Sequence, residues 1–316
     1  MSKILFIIDK TELKYFEFNN LVTNFWMIKE FLDRGHEVSV STIPQLSLIG
    51  DTAFAGCYET FSNKGNIFYK NIETQKEINN FDLVMFRPDP PVDIDYINAT
   101  YIFDFVKTKV INSPKAIRSF NEKLHSLYFK EYMTPTLVTS SLKGIENFLK
   151  LQKQIVLKPL NRCFGSGVMY LYEGDPNTHT IINTVTNNET TLAMVQRFIP
   201  EVKNGDIRVL TLGDKVLPYS IKKLPGKDDF KFNTHSDNFI IKSELTQSQL
   251  DYFKPVAGKL NSMGIVMAGL DVIDQRIIEI NVTSPCYFIK EINNLFNVNL
   301  EKELCDYLLT PVLLSL

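Results

Sequence analysis

Asp271, Glu279 and Asn281 are the residues whose types and spacing point most directly to chemistry. They fall in A-G-L-D-V-I-D-Q-R-I-I-E-I-N-V-T-S-P, residues 268–285. Two apolar runs, 265–273 and 277–282, flank a polar corner at Asp274, Gln275 and Arg276, which is the pattern of a β-hairpin. Residues two apart share one face of a strand, so Glu279 and Asn281 lie together, and Asp271 on the partner strand opposes them in a favourable register. Two carboxylates and an amide oxygen make an all-oxygen set suited to Mg²⁺, which proteins hold with a few carboxylates together with substrate phosphates. The same pattern also fits an ordinary hairpin with a solvated polar face.

Other charged residues sit where charge is costly. Lys158 interrupts the apolar strand I-V-L-K-P-L at 155–160, and a lysine inside a strand buried on both faces needs an anionic partner. Gly165 and Gly167 follow in a G-S-G turn. That turn either exposes backbone N–H groups to a phosphate or simply closes a hairpin. Arg208 is the only charge within its apolar run, I-R-V-L at 207–210. Arg87 stands in R-P-D-P-P straight after the apolar strand 81–86, and loops at the carboxyl ends of such strands are where open α/β sheets bind ligands. Stiffened by three prolines, this guanidinium could take a substrate carboxylate bidentately, or it is a surface arginine in a rigid turn. Lys123 alone reads as a solvated charge on a helix. The strand at 192–199, with Gln196, Phe198 and Ile199, is a candidate adenine-binding edge through backbone groups.

The elements that must position these residues follow from the apolar patterning. A strand at 3–9, an amphipathic helix at 20–34 stopped by Gly35, and a strand at 36–41 open the chain as β-α-β, which favours a parallel α/β layer. No G-x-G-x-x-G follows the first strand, so the dinucleotide fingerprint is absent. Helices are expected over 93–109, 142–151, 247–263 and 300–309, with another starting at Lys290, and strands over 205–210 and 216–222. The stretch 223–238 is polar and reads as a loop.

Composition excludes several classes. The 316 residues are 44% hydrophobic and 22% charged, an ordinary globular balance with room for two or three subdomains. The 34 basic and 36 acidic residues nearly cancel, without the basic footprint of a nucleic-acid binder. No apolar run approaches the ~18 residues of a membrane span, and the N-terminal run, interrupted by Asp9, reads as a buried strand and not as a signal peptide. Cys57, Cys163, Cys286 and Cys305 form no C-x-x-C pair, so neither zinc nor a disulfide framework is expected, and a reducing cytoplasm is the expected setting. His36, His125, His179 and His235 read as surface or packing residues, and Cys163 as a bystander thiol.

Taken in order, R-P-D-P-P at 87–91, N-A-T-Y-I at 98–102, N-E-K-L at 121–124, I-V-L-K-P-L at 155–160, E-G-D-P-N at 173–177, G-D-I-R-V-L at 205–210, G-L-D-V-I at 269–273 and E-I-N-V-T-S-P at 279–285 resemble bacterial glutathione synthetase of the ATP-grasp superfamily over essentially the whole chain. The resemblance implies an α/β fold with an N-terminal pre-ATP-grasp domain at 1–121, a lid subdomain at 122–191 and a C-terminal ATP-grasp domain at 192–316 carrying the hairpin. It implies ATP held between the last two. Lys123 and Lys158 resemble the lysines that touch ATP phosphates, and Asp271, Glu279 and Asn281 the Mg²⁺ ligands, with Mn²⁺ as a substitute metal. Arg208 matches the arginine near the transferred phosphoryl group, Arg87 the one facing the acyl substrate, and Ser284 of T-S-P lies on the same substrate side. The implied reaction joins γ-glutamylcysteine to glycine through an acyl phosphate, in a cytoplasmic homotetramer acting on small molecules.

The departures concern loops. The family's D-G-x-G-G after the K-P-L strand is here Asn161-Arg162-Cys163-Phe164-Gly165, so two glycines carry side chains. The Gly-rich closing loop is replaced by 227–239, which has no glycine. Substrate-side arginines appear as Lys223 and, after a one-residue insertion at 286–288, Lys290, which keep charge without the bidentate fork. A paralogous ligase with another acid or amine, or a non-catalytic nucleotide-binding protein, are the alternatives. Replacing Asp271 or Glu279 by alanine is expected to abolish turnover while leaving the fold intact.

Overall fold

The structure, a computed structural model, describes residues 1–14, 20–163, 165–226 and 240–310. Phe164, the expected closing loop 227–239 and its His235 lie outside the described residues.

Three sheets organise the described residues. In the first, Lys3–Ile8 pairs in parallel with Glu37–Thr42 and with Leu83–Phe86, and Lys109–Ile111 extends the parallel run. The helix Thr23–Asp33 makes the crossover between the first two strands, and Gly35 ends it at φ +79°, where a side chain would be strained. This half matches the β-α-β expectation. The other half was not read: Leu46–Ile49, Thr52–Asn63, Asn66–Tyr69 and Thr74–Glu77 add an antiparallel extension. These strands are short or polar-rich and carry a half-buried pattern, so no apolar run marked them.

The helix expected over 93–109 stops early, at Ile94–Ile102 followed by one 3₁₀ turn, Phe103–Phe105. Asp93 caps its start by accepting from Tyr96 N at 2.9 Å. The chain then leaves the helix because Lys107 N donates to Asn79 Oδ1 (2.8 Å) and Thr108 Oγ1 to the Phe81 carbonyl (3.1 Å), which lays Lys109–Ile111 beside Leu83–Phe86. Lys123, expected within a helix, instead stands at the N-cap of a 3₁₀ stretch, Leu124–Tyr132, where Asn121 Oδ1 accepts from the N–H groups of Lys123 (3.1 Å) and Leu124 (2.9 Å).

The second sheet orders Met169–Tyr172, Gln154–Pro159, Ala193–Arg197 and Thr136–Thr139, all antiparallel, with Leu142–Gln152 and Thr178–Thr186 packed against it over an apolar core of its own. Ala193–Arg197 bonds to strands on both sides, so the sheet runs past residue 191, where the sequence reading ended the lid. The third sheet is also antiparallel, in the order Ile240–Glu244, Lys215–Lys223, Asp206–Leu212, Met267–Ile273 and Arg276–Asn281, covered by Gln247–Ser262. Ile289–Phe296 and Leu300–Leu309 close the chain against the first sheet's core, close to the expected positions.

Asn112, just past the last parallel strand, joins the first and third sheets. Its Nδ2 donates to the carbonyls of Met267 and Val282, each at 2.7 Å, and its Oδ1 accepts from Met267 N at 2.8 Å.

Candidate active site

The hairpin forms as expected, with Asp274 (φ +46°) and Gln275 (φ +62°) both left-handed, as a type I′ two-residue hairpin turn requires. The register places Asp271 directly opposite Glu279 and Gly269 opposite Asn281, with a bulge after Asp271. The cross-strand opposition on which the metal reading depends is therefore present.

Four basic side chains converge on these acids, each buried to within 8% of full exclusion from solvent. Arg208, on the neighbouring strand opposite Asp271, forms a fork: Nε reaches Asp271 Oδ1 at 2.8 Å and Nη2 reaches Oδ2 at 3.2 Å. Lys223 Nζ lies 2.9 Å from Asp271 Oδ1 and 2.6 Å from Asp206 Oδ2. Lys123 Nζ is 2.9 Å from Glu279 Oε1 and 2.6 Å from the Arg162 carbonyl. Lys158 Nζ donates to the Ile278 carbonyl at 3.2 Å, beside Glu279. Burial alone would raise the Asp271 carboxyl, but Arg208 and Lys223 outweigh it and hold it well below the usual range. Burial raises Asp206 despite Lys223. Lys158 is pushed down to about 8, chiefly by burial and against the pull of Glu279.

Gly269 makes this packing feasible: a Cβ there would lie 2.9 Å from Arg208 Cδ and Nη1. Glu122, of N-E-K-L, straps the segment bearing Lys123 to the hairpin. Its side chain accepts from Val282 N (2.7 Å), Thr283 N (3.1 Å) and Thr283 Oγ1 (3.2 Å), and its carbonyl from Ile280 N (3.2 Å).

Among the described residues no three His, Cys, Asp or Glu side chains are grouped to hold a metal. The third donor here is an amide. Asn281 Nδ2 donates to Gly269 O and Asp271 Oδ2, both at 3.1 Å, so Oδ1 is the atom outside these bonds. The carboxylates are neutralised by lysine and arginine, and a hard cation accompanied by phosphates fits the set, because phosphates offer those cations new partners.

The remaining predicted residues fall into two groups. Gly165 (φ +69°) and Gly167 (φ +73°) are left-handed, and a Cβ on Gly167 would press Pro159 Cγ at 3.0 Å. Gln196 is buried and donates to Thr136 Oγ1 at 3.4 Å, Phe198 N is bonded to the Gln154 carbonyl (3.0 Å), and the Ile199 carbonyl accepts from Val202 N (3.1 Å). Gln196 thus lies on an interior strand of the second sheet, and Phe198 and Ile199 continue past that strand's end. On the other side Arg87 is not a surface residue: it is 2% exposed, with Nε on Asn24 Oδ1 at 2.5 Å and Nη2 on the Pro285 carbonyl at 2.9 Å. Arg208 Nη1 takes the next carbonyl, Cys286, at 3.4 Å. Ser284 hydroxyl donates to Asp89. Lys290 is half-buried in the first turn of Ile289–Phe296. The inserted stretch is anchored by Tyr287, fully buried, whose N–H donates to Thr23 Oγ1 at 2.8 Å. Asn24, Asp206 and Glu12 were missed; the available signal was a polar residue on the apolar face of the 20–34 helix and an aspartate opening an apolar strand.

Residues 3–118 match the prokaryotic glutathione synthetase N-terminal domain, and residues 122–297 match the prokaryotic glutathione synthetase ATP-grasp domain. The chain belongs to the prokaryotic glutathione synthetase family. Among the family's curated members, the glutathione synthetase of Neisseria meningitidis serogroup B is 34% identical over 298 residues, covering 91% of this chain and 92% of that protein. The Vibrio parahaemolyticus glutathione synthetase is 32% identical over 289 residues, 90% of this chain and 91% of its own. More distant ATP-grasp structures share the fold. A Chryseobacterium gregarium RiPP-associated ATP-grasp ligase superposes with a TM-score of 0.65 at 16% identity, covering 98% of this chain and 96% of that one. D-alanyl-alanine synthetase A of Vibrio cholerae gives 0.62 at 11% identity, covering 97% of each. No helix among the described residues is long and apolar enough to cross a membrane.

Proposed function

We propose that this member of the glutathione synthetase family joins γ-glutamylcysteine to glycine at the expense of ATP. The observation that carries the reading is the Asp271–Glu279 pair facing four buried basic side chains, in a chain about one-third identical to curated glutathione synthetases over most of its length. The cysteinyl carboxylate attacks the γ-phosphoryl group, an acyl phosphate forms and ADP leaves. The neutral amine of glycine then attacks the acyl carbon, the C–N bond forms as the bond to phosphate breaks, and a proton is released.

Such chemistry needs positioning and charge neutralisation more than covalent help from the protein. Lys123 and Lys158 hold the phosphates, turning from Glu279 and the Ile278 carbonyl toward the nucleotide. Arg208 neutralises charge on the transferring phosphoryl group, with Lys223 beside it. Gly165 and Gly167 bring backbone toward the phosphates, the edge at Gln196, Phe198 and Ile199 takes the base, and Arg87 holds the acid, with Ser284 and Lys290 on that side. Asp271, Glu279 and Asn281 would hold Mg²⁺, or Mn²⁺ in its place, which supplies charge neutralisation to the phosphates. The lid in this reading comprises 122–197, between an N-terminal domain at 1–121 and a C-terminal domain at 198–316. A homotetramer in the cytoplasm is the expected assembly and setting.

Phosphate release from ATP and Mg²⁺ with γ-glutamylcysteine and glycine tests the reading, alongside a panel of other acids and amines. Turnover with this pair is expected; silence with it and turnover with another pair would reassign the substrate.

A further inference from the structure

Arg87 is a single guanidinium in a corner crowded with acid. Its Nε donates to Asn24 Oδ1 at 2.5 Å, and Asn24 Nδ2 donates to Glu12 Oε2 at 2.9 Å. Asn24 thus stands between the two charges and keeps them from pairing directly. Glu12 is 7% exposed, and its other oxygen, Oε1, is buried with no hydrogen-bond donor among the described residues. An orphaned buried acceptor is costly and calls for an explanation. Asp89 and Asp9 act on Glu12 in the same unfavourable sense, opposed by Arg87. Burial, with those two acids adding to it, pushes the Glu12 carboxyl up to about 8. Glu12 and Asp89 share one guanidinium and Asp9 adds to the negative charge beside them, whereas Asp271, Asp206 and Glu279 each have a cation within 2.9 Å. Among the described residues, what the corner lacks is a positively charged donor for Glu12 Oε1.

We propose that Glu12 is a substrate-binding residue whose Oε1 accepts the α-ammonium of the acid substrate while Arg87 takes its α-carboxylate, so that this corner reads the zwitterionic head of an α-amino acid. The inference rests on the ligase reading above. γ-Glutamylcysteine carries such a head at its glutamyl end, away from the carboxylate to be phosphorylated. The geometry allows both ends to be served: Arg87 and Arg208 grip the consecutive carbonyls of Pro285 and Cys286, so the head subsite and the phosphoryl-transfer side border one short peptide stretch. An arriving ammonium supplies the donor that Oε1 lacks and offsets the excess acid, and the accompanying carboxylate adds a counter-ion to Arg87.

The test compares γ-glutamylcysteine with glutarylcysteine, identical but for the α-amino group, each with glycine, ATP and Mg²⁺, in the wild type and in Glu12→Gln. A site built around a buried polar group rejects a ligand lacking the matching group, so the wild type is expected to prefer γ-glutamylcysteine by about 100-fold or more in kcat/KM. In Glu12→Gln the preference should shrink to about threefold or less, with KM for ATP unchanged. Glu12→Asp, which keeps the charge one methylene shorter, should retain a preference above about tenfold. A preference that persists in Glu12→Gln, one that is lost equally in Glu12→Asp, or a wild type that uses both acids equally well would overturn the assignment. Failure of the parent reading looks different: the wild type is silent with γ-glutamylcysteine but turns over another acid. That acid and its deamino counterpart then decide the subsite by the same outcomes. Silence with every acid overturns both.

Discussion

The proposed nucleotide half and the proposed acyl half of the site treat charge in opposite ways. Around the hairpin each carboxylate is already matched: Asp271 by Arg208 and Lys223, Asp206 by Lys223, Glu279 by Lys123. Around Arg87 the acids outnumber the cation, and one oxygen of Glu12 has no donor among the described residues. In the proposed ligase, phosphates and metal would therefore enter by exchanging partners that already exist, while the acyl substrate would enter by supplying a partner that is missing. Exchange suits a ligand common to many ligases, because it asks only for charge. A specific deficit suits the ligand that has to be chosen.

The largest expected effect comes from breaking the matched half. Glu279→Gln should lower phosphate release by about 1,000-fold or more, since an amide keeps one oxygen donor but loses the negative charge that a hard cation at the proposed site needs. Thermal unfolding would separate this from damage to the fold. Asp271→Ala should be equally inactive but also less stable, because it removes one partner of a buried ion pair, at a cost of about 3–5 kcal/mol. Unchanged turnover in either variant would remove the metal assignment.

Next in size is the unmatched half. Arg87→Lys keeps charge but loses the fork, and should cost on the order of 100-fold in kcat/KM for the acid while KM for ATP stays within about twofold. An equal rise in both KM values would mean that the two halves are not separable.

Titration sharpens the contrast further. Lys158 has a depressed value of about 8 in the unliganded protein, against an ordinary lysine value of 10.5. It is therefore charged below about pH 8 and neutral above it. Phosphate binding restores the charge by taking up a proton, so KM for ATP should rise by up to about tenfold per pH unit above pH 8. Lys158→Arg, charged throughout, should flatten that slope. A slope unaltered in Lys158→Arg would assign the ionisation elsewhere.

The smallest effect is expected at Cys163, whose thiol is raised by burial despite Lys123 and which lies 3.9 Å from the Pro90 carbonyl. Cys163→Ser should change turnover by less than about twofold and stability by less than about 0.5 kcal/mol, and mild oxidants should leave activity intact.

How far the sequence could be read follows the same division. The hairpin was legible because its apolar runs and its acids are local, and an alternation of two places side chains without knowledge of the rest. Lys158 was legible because a charge inside an apolar strand announces its cost. Lys123 entered only through the N-E-K-L resemblance, and its contact with Glu279, 156 positions away, was not read. The antiparallel strands between residues 46 and 77 escaped because half-buried, polar strands carry a weak pattern. Glu12 and Asn24 escaped for a different reason: their meaning lies in what each faces across 12 and 63 positions, and no periodicity records that.

Asn112 carries a mechanical consequence. Three bonds from one side chain to Met267 and Val282 clamp the parallel sheet to the hairpin on either side of Asp271, Glu279 and Asn281. The corner holding Arg87 and the strands holding Asp271 and Glu279 should then travel as one rigid bench, leaving the lid sheet to swing. The flight path of the phosphoryl group between its donor and acceptor ends would be set once, as the chain folds, and reused without adjustment at every turnover.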